Sequence, residues 1–571
     1  MSKFMKRMMV NFGVMLGRGE LAKLAFYSHH AVWQQERNLK KLMKANKNTE
    51  YGKLHNFKDV KSVEDYQRIV PYSWYPDYAP YIERMAEKGE KNLITSKYIP
   101  KFNESSGSTG KSKLVPMGLW GTWVCQCFSF SAPVGCAFKY FKEKKGMRMP
   151  PQKGLLTIEV LAHKTPSGVI AGGLAAHPMI NLKPVTPFYT TSPREVMFPK
   201  TRDAMDMHYM KLRFALPRRD VSYIGTVFVT MVESMMFYLE NNWEMLCDDI
   251  EKGTINESIA CPPDVRKKLL KKCKPDPERA EELRREFRKG FDEEAIVPRI
   301  WPNIGWLYGM GTGSLSHYAK KLRRYIGPDL PIHYLGYAAS EGLMAVPTEL
   351  DSFEYVLLPQ NGFYEFLPVD APEDSTPLTI SQLEVGKDYE IIITNMSGLY
   401  RYRIEDVVRV TGYHKQSPKV TFLYRRNQIA NISGEKINQH AFDILVNELS
   451  STVGENFNGY CIYPDRTTSP GHYQLLIEPE NPDVPDSDCE KYAEIFEKRL
   501  CETNVLVPPL IRNGALGHCE VKFLKTGTYE EYRDVLRAKG ANLNQAKPVK
   551  VLDNEERIEY FFSHVRESLK K

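Results

Sequence analysis

The chain has 571 residues, of which 42% are hydrophobic and 26% are charged. These values are typical of an ordinary globular protein, and they exclude a collagen, a low-complexity protein and a disordered chain. The formal net charge is +8, a mild basic excess that suits a site for anionic ligands but does not by itself indicate nucleic-acid binding.

The sequence gives several indications of compartment. No stretch of 18 apolar residues occurs, so no membrane span is expected. The first 20 residues are basic and then apolar; they predict the start of an amphipathic helix, with peripheral membrane contact as the alternative. The ten cysteines include no Cys-x-x-Cys pair, which favours reduced thiols and a cytoplasmic protein. The histidines lack the spacing of a zinc enzyme.

Helices dominate the predicted elements of the first half. We predict a helix over residues 20–50, a loop over the Tyr- and Pro-rich stretch Pro71–Tyr81, a helix over 235–252 that Gly253 ends, and two charged helices over 262–290. The last segment is rich in basic residues, so a nucleic-acid patch is the alternative to a solvated helix pair.

The hydrophobic period changes from Tyr355 onward. Three strands are predicted there, over Phe363–Val369, Tyr389–Thr394 and Val407–Val410. Beyond about residue 426 we predict a compact α+β unit with helices Ala441–Leu449 and Glu490–Cys501 and strands Tyr473–Ile477 and Glu520–Leu524. The domain boundary is expected near Arg425-Arg426-Asn427.

The first segment that carries chemistry is Ser105-Ser106-Gly107-Ser108-Thr109-Gly110-Lys111-Ser112-Lys113. Small residues let a backbone approach an anion closely, so that N–H groups and hydroxyls can bind phosphate oxygens. Gly110-Lys111-Ser112 imitates the end of a Walker A loop, but that motif requires glycine where this chain has Ser105. A plain flexible loop is the alternative.

The second segment is Tyr337-Ala338-Ala339-Ser340-Glu341-Gly342, which follows the apolar run Leu330–Leu335. A strand that leads into a loop with one acid suits a metal-assisted phosphate site. A lone glutamate on the surface is the alternative.

The third segment, Gly398–Val410, alternates aromatic and charged residues and predicts a strand with one polar face. Asp406 in this segment has the chemistry to accept both hydroxyls of a ribose. A ladder of ion pairs between neighbouring strands is the alternative.

The fourth segment, Gly540–Pro548, is a glycine turn followed by a polar run that presents Lys547. On its own it predicts a surface loop.

In this order, the four segments resemble those of the adenylate-forming superfamily, which includes firefly luciferase. Ser106–Lys113 resembles the phosphate loop of that superfamily, and Tyr337–Glu341 resembles its second motif. Tyr402–Asp406 resembles its ribose-binding motif, and Lys547 its C-terminal catalytic lysine.

A closer resemblance is to the auxin-responsive acyl acid–amido synthetase family. It spans roughly residues 45 to 565 and rests on five stretches: Asn48–Gly52, Tyr189–Glu195, Pro298–Asn303, Gly398–Val410 and Gly540–Lys547. This chain departs from the family in two places. Its phosphate loop has the general superfamily form, one residue shorter than in the plant hormone enzymes, which weakens any transfer of plant substrates. Glu405 replaces the usual glycine and adds negative charge beside the expected ribose site.

The resemblance implies an α/β fold. Residues 1–425 would form a large N-terminal adenylate-forming domain of layered α/β subdomains, which binds ATP and the acyl acid. Residues 426–571 would form a small, mobile C-terminal α+β domain that carries the catalytic lysine. Rotation of this domain about residues 425–427 would switch the enzyme between its two half-reactions.

The resemblance also implies an ATP- and Mg²⁺-dependent, AMP-forming ligase. It would convert a small carboxylic acid into an acyl-adenylate with release of pyrophosphate, and then transfer the acyl group to an amine, typically of an amino acid. We expect a monomer without a nucleic-acid partner or stable membrane insertion. An acyl-CoA ligase with the same first half-reaction is the alternative; a non-catalytic nucleotide-binding protein is the alternative from another class.

The implied roles fall on residues of all four segments. Phosphate would be held by Ser105, Ser106, Gly107, Ser108, Thr109 and Gly110, while Tyr337, Ala338 and Ser340 would line the adenine and acyl side. Glu341 would be the Mg²⁺ ligand, Asp406 would bind the ribose, and Arg425 would lie at the hinge near it. Lys547 would balance charge at the α-phosphate, with Gln545 and Lys436 as helpers.

Overall fold

A computed structural model describes the chain except residues 1–2, 105–112, 151–152, 202–204, 312–321, 373–374, 426–429, 438, 539–550, 553–554 and 567–571. The described residues fall into two compact units, one up to residue 425 and one from residue 430. No described helix is both long enough and apolar enough to cross a bilayer. All ten cysteines are free thiols.

The first unit contains the helices α1 (Lys3–His29), α2 (Ala31–Asn46), α3 (Glu50–Leu54), α4 (Val63–Ile69), α5 (Tyr75–Lys88), α6 (Leu119–Gln126), α7 (Ala132–Glu143), α8 (Ala176–Asn181), α9 (Thr186–Tyr189), α10 (Arg194–Met197), α11 (Met207–Ala215), α12 (Val229–Lys252), α13 (Pro263–Leu270), α14 (Pro277–Phe287) and α15 (Ile296–Ile300). Its strands are β1 (Lys101–Glu104), β2 (Leu114–Met117), β3 (Gly154–Leu156), β4 (Ala162–Lys164), β5 (Ile170–Gly172), β6 (Tyr223–Phe228), β7 (Trp306–Met310), β8 (Ile332–His333), β9 (Tyr337–Ala339), β10 (Gly342–Val346), β11 (Tyr355–Leu357), β12 (Gly362–Pro368), β13 (Asp388–Asn395), β14 (Tyr402–His414) and β15 (Ser417–Arg425).

These strands form three sheets within the described part of the first unit. A parallel sheet has the order β3-β6-β7-β8, and a mixed sheet has the order β2-β1-β5-β4. The third sheet is antiparallel, with the order β12-β13-β14-β15-β11-β10-β9. It is packed on both faces over much of its length, because consecutive residues of β12 and β13, which point to opposite faces of the sheet, are buried. These sheets with their covering helices confirm the predicted α/β class.

The second unit is α+β. Its strands β16 (Phe457–Asp465), β17 (His472–Pro479) and β18 (Glu520–Phe523) form one sheet. Its helices are α16 (Gln439–Val453), α17 (Asp488–Thr503), α18 (Val507–Arg512), α19 (Thr528–Ala538) and α20 (Glu555–Ser563). Strand β16 was absent from the sequence prediction, although it pairs with β17 along nearly its whole length.

The helix before Gly253 and the charged helix pair confirm the sequence predictions. In α12, Leu239, Leu246 and Ile250 are fully buried, and Gly253 ends the helix with φ of 72°. An L-residue with a side chain rarely adopts that left-handed conformation, which makes glycine the favoured terminator. Helices α13 and α14 account for the charged segment over 262–290.

Two predictions for the N-terminal region are wrong. The helix predicted over 20–50 is two helices, α1 and α2, which break at His30, where φ is −120° and ψ is 34°. The loop predicted over Pro71–Tyr81 is largely helix α5. Pro76 lies in the first turn, where a missing N–H breaks no bond of the helix, and the backbone N–H of Trp74 donates to Asp77 at 2.7 Å.

Candidate active site

Glu341 lies at the tip of a tight hairpin in the antiparallel sheet. Strands β9 and β10 pair with Ala339 opposite Gly342, so Ser340 and Glu341 form a two-residue turn. The glycine after the turn has φ of 144°, a conformation that glycine adopts without strain. The turn therefore projects one carboxylate from the end of the sheet.

Two asparagines hold this turn by its backbone. The Asn103 side chain at the end of β1 donates to the Ser340 carbonyl at 2.6 Å, and that of Asn395 at the end of β13 donates to the Glu341 carbonyl at 3.0 Å. Because Asn103 lies two residues before Ser105, the turn is fixed beside the start of the expected phosphate loop. Ser105–Gly110 themselves lie outside the described residues, but the pairing of Glu104 with Leu114 brings the two ends of that segment together.

Asp406 is a buried carboxylate, 2% exposed, on β14. The Tyr337 hydroxyl donates to its Oδ2 at 2.8 Å, and the Tyr337 ring stacks on Phe422 with 6.0 Å between ring centroids. The structure therefore joins two of the predicted site residues by a hydrogen bond that orients the carboxylate. Ala338, the next residue of β9, lies opposite Leu343 and is half-buried.

The backbone around Asp406 is irregular. Ile392 of β13 lies opposite Arg403, but Glu390 lies opposite Val407, so β14 carries extra residues in a bulge. Within the bulge, Glu405 has φ of 65°, in the left-handed region that favours glycine. On the other side of β14, Asp406 pairs with the backbone of Arg425, the last residue of β15.

The arginines of this segment form the ion-pair ladder that was the alternative interpretation. Arg403 makes a bidentate pair with Glu390 at 2.7 and 2.8 Å, and Arg409 pairs with Asp388 at 2.6 Å. Arg401 pairs with Glu365 on β12. Burial raises the pKa of the Glu365 carboxyl, and Arg401 opposes that shift.

The predicted polar face of this strand is present, but most of it is buried instead of facing solvent. Both faces are buried from Tyr402 to Val408, apart from the half-buried Glu405. Charge is tolerated inside the protein because the buried side chains of Arg401 and Arg403 are each paired with a carboxylate of a neighbouring strand. The Asp406 carboxylate, for its part, accepts a hydrogen bond from the Tyr337 hydroxyl.

Lys436 belongs to the second unit, in a turn built around its neighbour Glu435. The Glu435 carboxylate accepts from the backbone N–H groups of Ile432 and Ser433, and the Tyr473 hydroxyl donates to it. Lys436 itself is half-buried with φ of 50°. Gln545 and Lys547, the other two predicted residues of this unit, lie outside the described residues.

The donor chemistry around Glu341 fits a magnesium ion that arrives with a nucleotide. Within the described ranges, no group of three or more His, Cys, Asp or Glu side chains is placed to hold a metal unaided. Mg²⁺ is commonly held by one or two carboxylates together with substrate phosphates and water. A single carboxylate next to the expected phosphate loop meets that requirement.

The sequence did not single out three residues that shape this site. Asn103 and Asn395 hold the Glu341 turn, and Tyr75 accepts a hydrogen bond from the Leu114 N–H at 3.2 Å. Burial raises the pKa of Tyr75, and the nearby Glu341 charge adds to the shift. Asn103 adjoins the expected phosphate loop in sequence, so its role could have been predicted from that position. The sequence around Asn395 and Tyr75 gives no indication that these residues belong to the site.

A buried lysine lies at the carboxyl end of the parallel sheet. Lys211 on α11 is 2% exposed, and its ammonium donates to the carbonyl of Thr157, directly after β3. Burial lowers its pKa to about 8, although the charge of Glu159 opposes the shift. In open parallel sheets this edge is where ligands bind.

Known proteins share this architecture. AtGH3.15 acyl acid amido synthetase in complex with 2,4-DB superimposes with a TM-score of 0.64 over 96% of each chain, at 24% identity. That likeness shows that the two proteins share a fold.

Models of one family cover most of the chain. The GH3 family N-terminal domain matches residues 20–332, the central domain residues 355–425 and the C-terminal domain residues 440–556. The indole-3-acetic acid-amido synthetase GH3.8 of Oryza sativa subsp. indica is 31% identical to this chain, over 93% of this chain and 90% of the length of that relative. The jasmonoyl-L-amino acid synthetase GH3.5 of Oryza sativa subsp. japonica is 27% identical over 90% and 91%. The chain belongs to the GH3 family, as its motifs predicted.

Proposed function

We propose that this protein is an ATP-dependent acyl acid–amido synthetase. A carboxylate oxygen of the acid attacks the α-phosphorus of ATP, and the bond to pyrophosphate breaks. An amine nitrogen, from an amino acid, then attacks the acyl carbon; the bond to AMP breaks and the nitrogen loses a proton. By their names, one relative given above is an indole-3-acetic acid-amido synthetase and the other a jasmonoyl-L-amino acid synthetase, and both support this assignment.

One observation in the structure carries the proposal. The turn that bears Glu341 and the buried carboxylate of Asp406 belong to the same sheet, and Asn103 ties that turn to the base of the expected phosphate loop. The carboxylates proposed to hold Mg²⁺ and the ribose thus lie in one sheet, which supports a nucleotide site there.

The chain's own residues would act as follows. Asp406, oriented by Tyr337, would accept the ribose hydroxyls, and Ala338 and Ser340 would line the adenine and acyl side. Ser105, Ser106, Gly107, Ser108, Thr109 and Gly110 would donate to phosphate oxygens. Glu341 would hold Mg²⁺, which supplies charge neutralisation at the phosphates when it is bound. Arg425, at the end of β15, would lie near the ribose.

The second unit would contribute Lys547 at the α-phosphate, with Gln545 and Lys436 in supporting roles. A unit charge 4 Å from a phosphate oxygen is worth about 4 kcal/mol at an effective dielectric near 20. Loss of such a preorganised group costs on the order of 10²–10³ in rate. A rotation about residues 425–427 would bring this unit into place for each half-reaction.

The test is acid-dependent release of pyrophosphate from Mg-ATP across aryl, indolyl and fatty acids. Release should require an acid and should fall about 10²-fold or more in Lys547→Ala and strongly in Asp406→Asn. The matched control is Asp388→Asn, which removes a carboxylate on the same sheet outside the site and should leave the rate unchanged. If the wild-type protein does not bind ATP, the proposal is overturned.

The acceptor is tested in a second assay. With the acid that gives the most pyrophosphate, amino acids and coenzyme A are compared for AMP release, and the products are identified by mass spectrometry. An amide product supports the proposed reaction. A thioester without amide would replace it by the acyl-CoA ligase alternative.

A further inference from the structure

Helix α1 has one face that is buried against the protein and one apolar face that is exposed. Its buried face includes Val10, Val14 and Leu24, which are at most 8% exposed. Its other face exposes Met8, Phe12, Met15 and Leu16, at 54%, 57%, 60% and 40%. These four positions are spaced as i, i+4, i+7 and i+8, so they form one stripe along the helix. A contiguous apolar stripe of this kind marks an interaction surface.

The segment that follows α7 contacts helix α1. The Arg7 guanidinium donates to the carbonyl of Met149 at 3.0 Å, and the Arg18 guanidinium lies 5.8 Å from the ring centroid of Phe138 on α7. Helix α1 therefore runs along α7, with Arg7 beside the segment that ends at Met149. Met147 in that segment is a further exposed apolar side chain, at 62%.

Positive charge is concentrated in the same two segments. Among the side chains that the structure describes, α1 carries Arg7, Arg18 and Lys23 against Glu20, and residues 142–148 carry Lys142, Lys144, Lys145 and Arg148 against Glu143. Seven basic and two acidic residues give these described side chains a net charge of +5. The four basic residues of the second segment are all exposed. We define the basic–apolar face as the stripe Met8, Phe12, Met15, Leu16 and Met147 with its surrounding Lys and Arg side chains.

We propose that the basic–apolar face binds the surface of a membrane that contains anionic lipids. Apolar side chains enter the boundary between headgroups and acyl chains, while Lys and Arg side chains contact anionic headgroups. Both components are present on this face, and the acidic residues that would repel anionic lipids are nearly absent from it. The helix lies on the membrane and does not cross it.

The same charges argue against a second copy of the chain as the occupant. A symmetric dimer through this face would place two surfaces of charge +5 against each other, which is repulsive. A nucleic acid would satisfy the charge but would leave the five apolar side chains without a partner.

Co-sedimentation of the full chain with lipid vesicles tests the proposal. Vesicles of phosphatidylcholine alone are compared with vesicles that also contain roughly a third phosphatidylserine, at low and at high salt. Binding should require phosphatidylserine and should weaken as salt rises, because the Debye length shortens. Equal binding to both kinds of vesicle, or binding to neither, would overturn the proposal.

Two variants separate the charged and apolar components. Lys142→Gln/Lys144→Gln/Lys145→Gln should weaken binding by about fivefold per residue, or on the order of 100-fold together. Phe12→Ser/Met15→Ser should weaken it by roughly tenfold or more per buried side chain. The matched control is Lys267→Gln/Lys268→Gln/Lys271→Gln, at exposed positions of α13 and of the residue that caps its C-terminus, which should bind like wild type.

The alternatives give different results in the same preparations. Sedimentation velocity without lipid measures the oligomeric state of the wild type and both variants. A wild-type dimer that Phe12→Ser/Met15→Ser dissociates, with no vesicle binding, would assign the face to self-association instead. Unchanged melting temperatures would show that the variants, all at exposed positions, remain folded.

Discussion

The bulge that presents Asp406 is tested by comparing glycine and alanine at position 405. Glu405 has φ of 65°, and an L-residue in that region costs about 1–2 kcal/mol relative to a right-handed conformation. Glycine avoids this cost but loses about 0.5–1 kcal/mol to the greater freedom of its unfolded chain. Glu405→Gly should therefore be more stable than Glu405→Ala by roughly 0.5–1 kcal/mol.

The sign of this difference is the informative quantity. At a position with ordinary negative φ, alanine would be the more stable of the two by about the same amount. Thermal unfolding measures the comparison, and for a unit of this size about 1 kcal/mol corresponds to a shift near 1 °C. An alanine variant at least as stable as the glycine variant would refute the left-handed bulge.

A third substitution separates the backbone from the charge. Glu405→Gln keeps the strain and removes the carboxylate next to the proposed ribose site. A unit charge about 8 Å from a nucleotide phosphate is worth about 0.5 kcal/mol even in water, so the KM for ATP should fall by about twofold or more. Steady-state kinetics at varied ATP measure this, and an unchanged KM would show that the Glu405 charge does not reach the nucleotide.

Three further predictions address other parts of the first unit. Tyr337→Phe removes the hydroxyl that donates to Asp406, and should raise the KM for ATP roughly tenfold while leaving the KM for the acid unchanged in steady-state assays. Lys211→Met should stabilise the protein by about 3 kcal/mol near pH 7, because burial lowers the pKa of Lys211 to about 8. This gain should shrink between pH 8 and about 10.5, where Lys211 holds its proton in the unfolded chain but has lost it in the folded protein. Urea unfolding measured over this pH range tests the prediction, and a gain that does not depend on pH would contradict it. Arg403→Met removes the arginine that pairs with the buried Glu390 carboxylate and should cost about 3–5 kcal/mol in urea unfolding, whereas the matched Arg409→Met breaks an exposed pair and should cost little.

Elements with local signals were predictable from the sequence. Helix α12 has apolar residues at helical spacing and Gly253 at its end, and the structure reproduces both. Helix α5 was missed because tyrosines and prolines concealed a helix whose Pro76 is harmless in the first turn. The bulge at Glu405 was hidden for a related reason: glutamate gives no indication of a left-handed backbone, where glycine would have done so.

The tethers of the site were out of reach because they join distant parts of the chain. Asn103 contacts a carbonyl 237 positions away, and Asn395 one 54 positions away. A single sequence contains no signal for such pairs, since any polar residue near a loop would look the same. The motif identifies which carboxylates matter, while the folded sheet decides how they are held.

The hydrogen bond from Tyr337 to Asp406 shows how the sheet itself builds the site. In the order β14-β15-β11-β10-β9, four spacings separate the two strands that carry these residues. In a flat sheet those spacings would amount to about 19 Å, more than a tyrosine and an aspartate side chain span together, yet the two oxygens are 2.8 Å apart. The sheet must therefore curl enough to bring Tyr337 toward β14. Because the contact that orients the proposed ribose carboxylate also links two distant strands of the sheet, the Tyr337→Phe experiment needs both a KM for ATP and an unfolding free energy to separate the two roles.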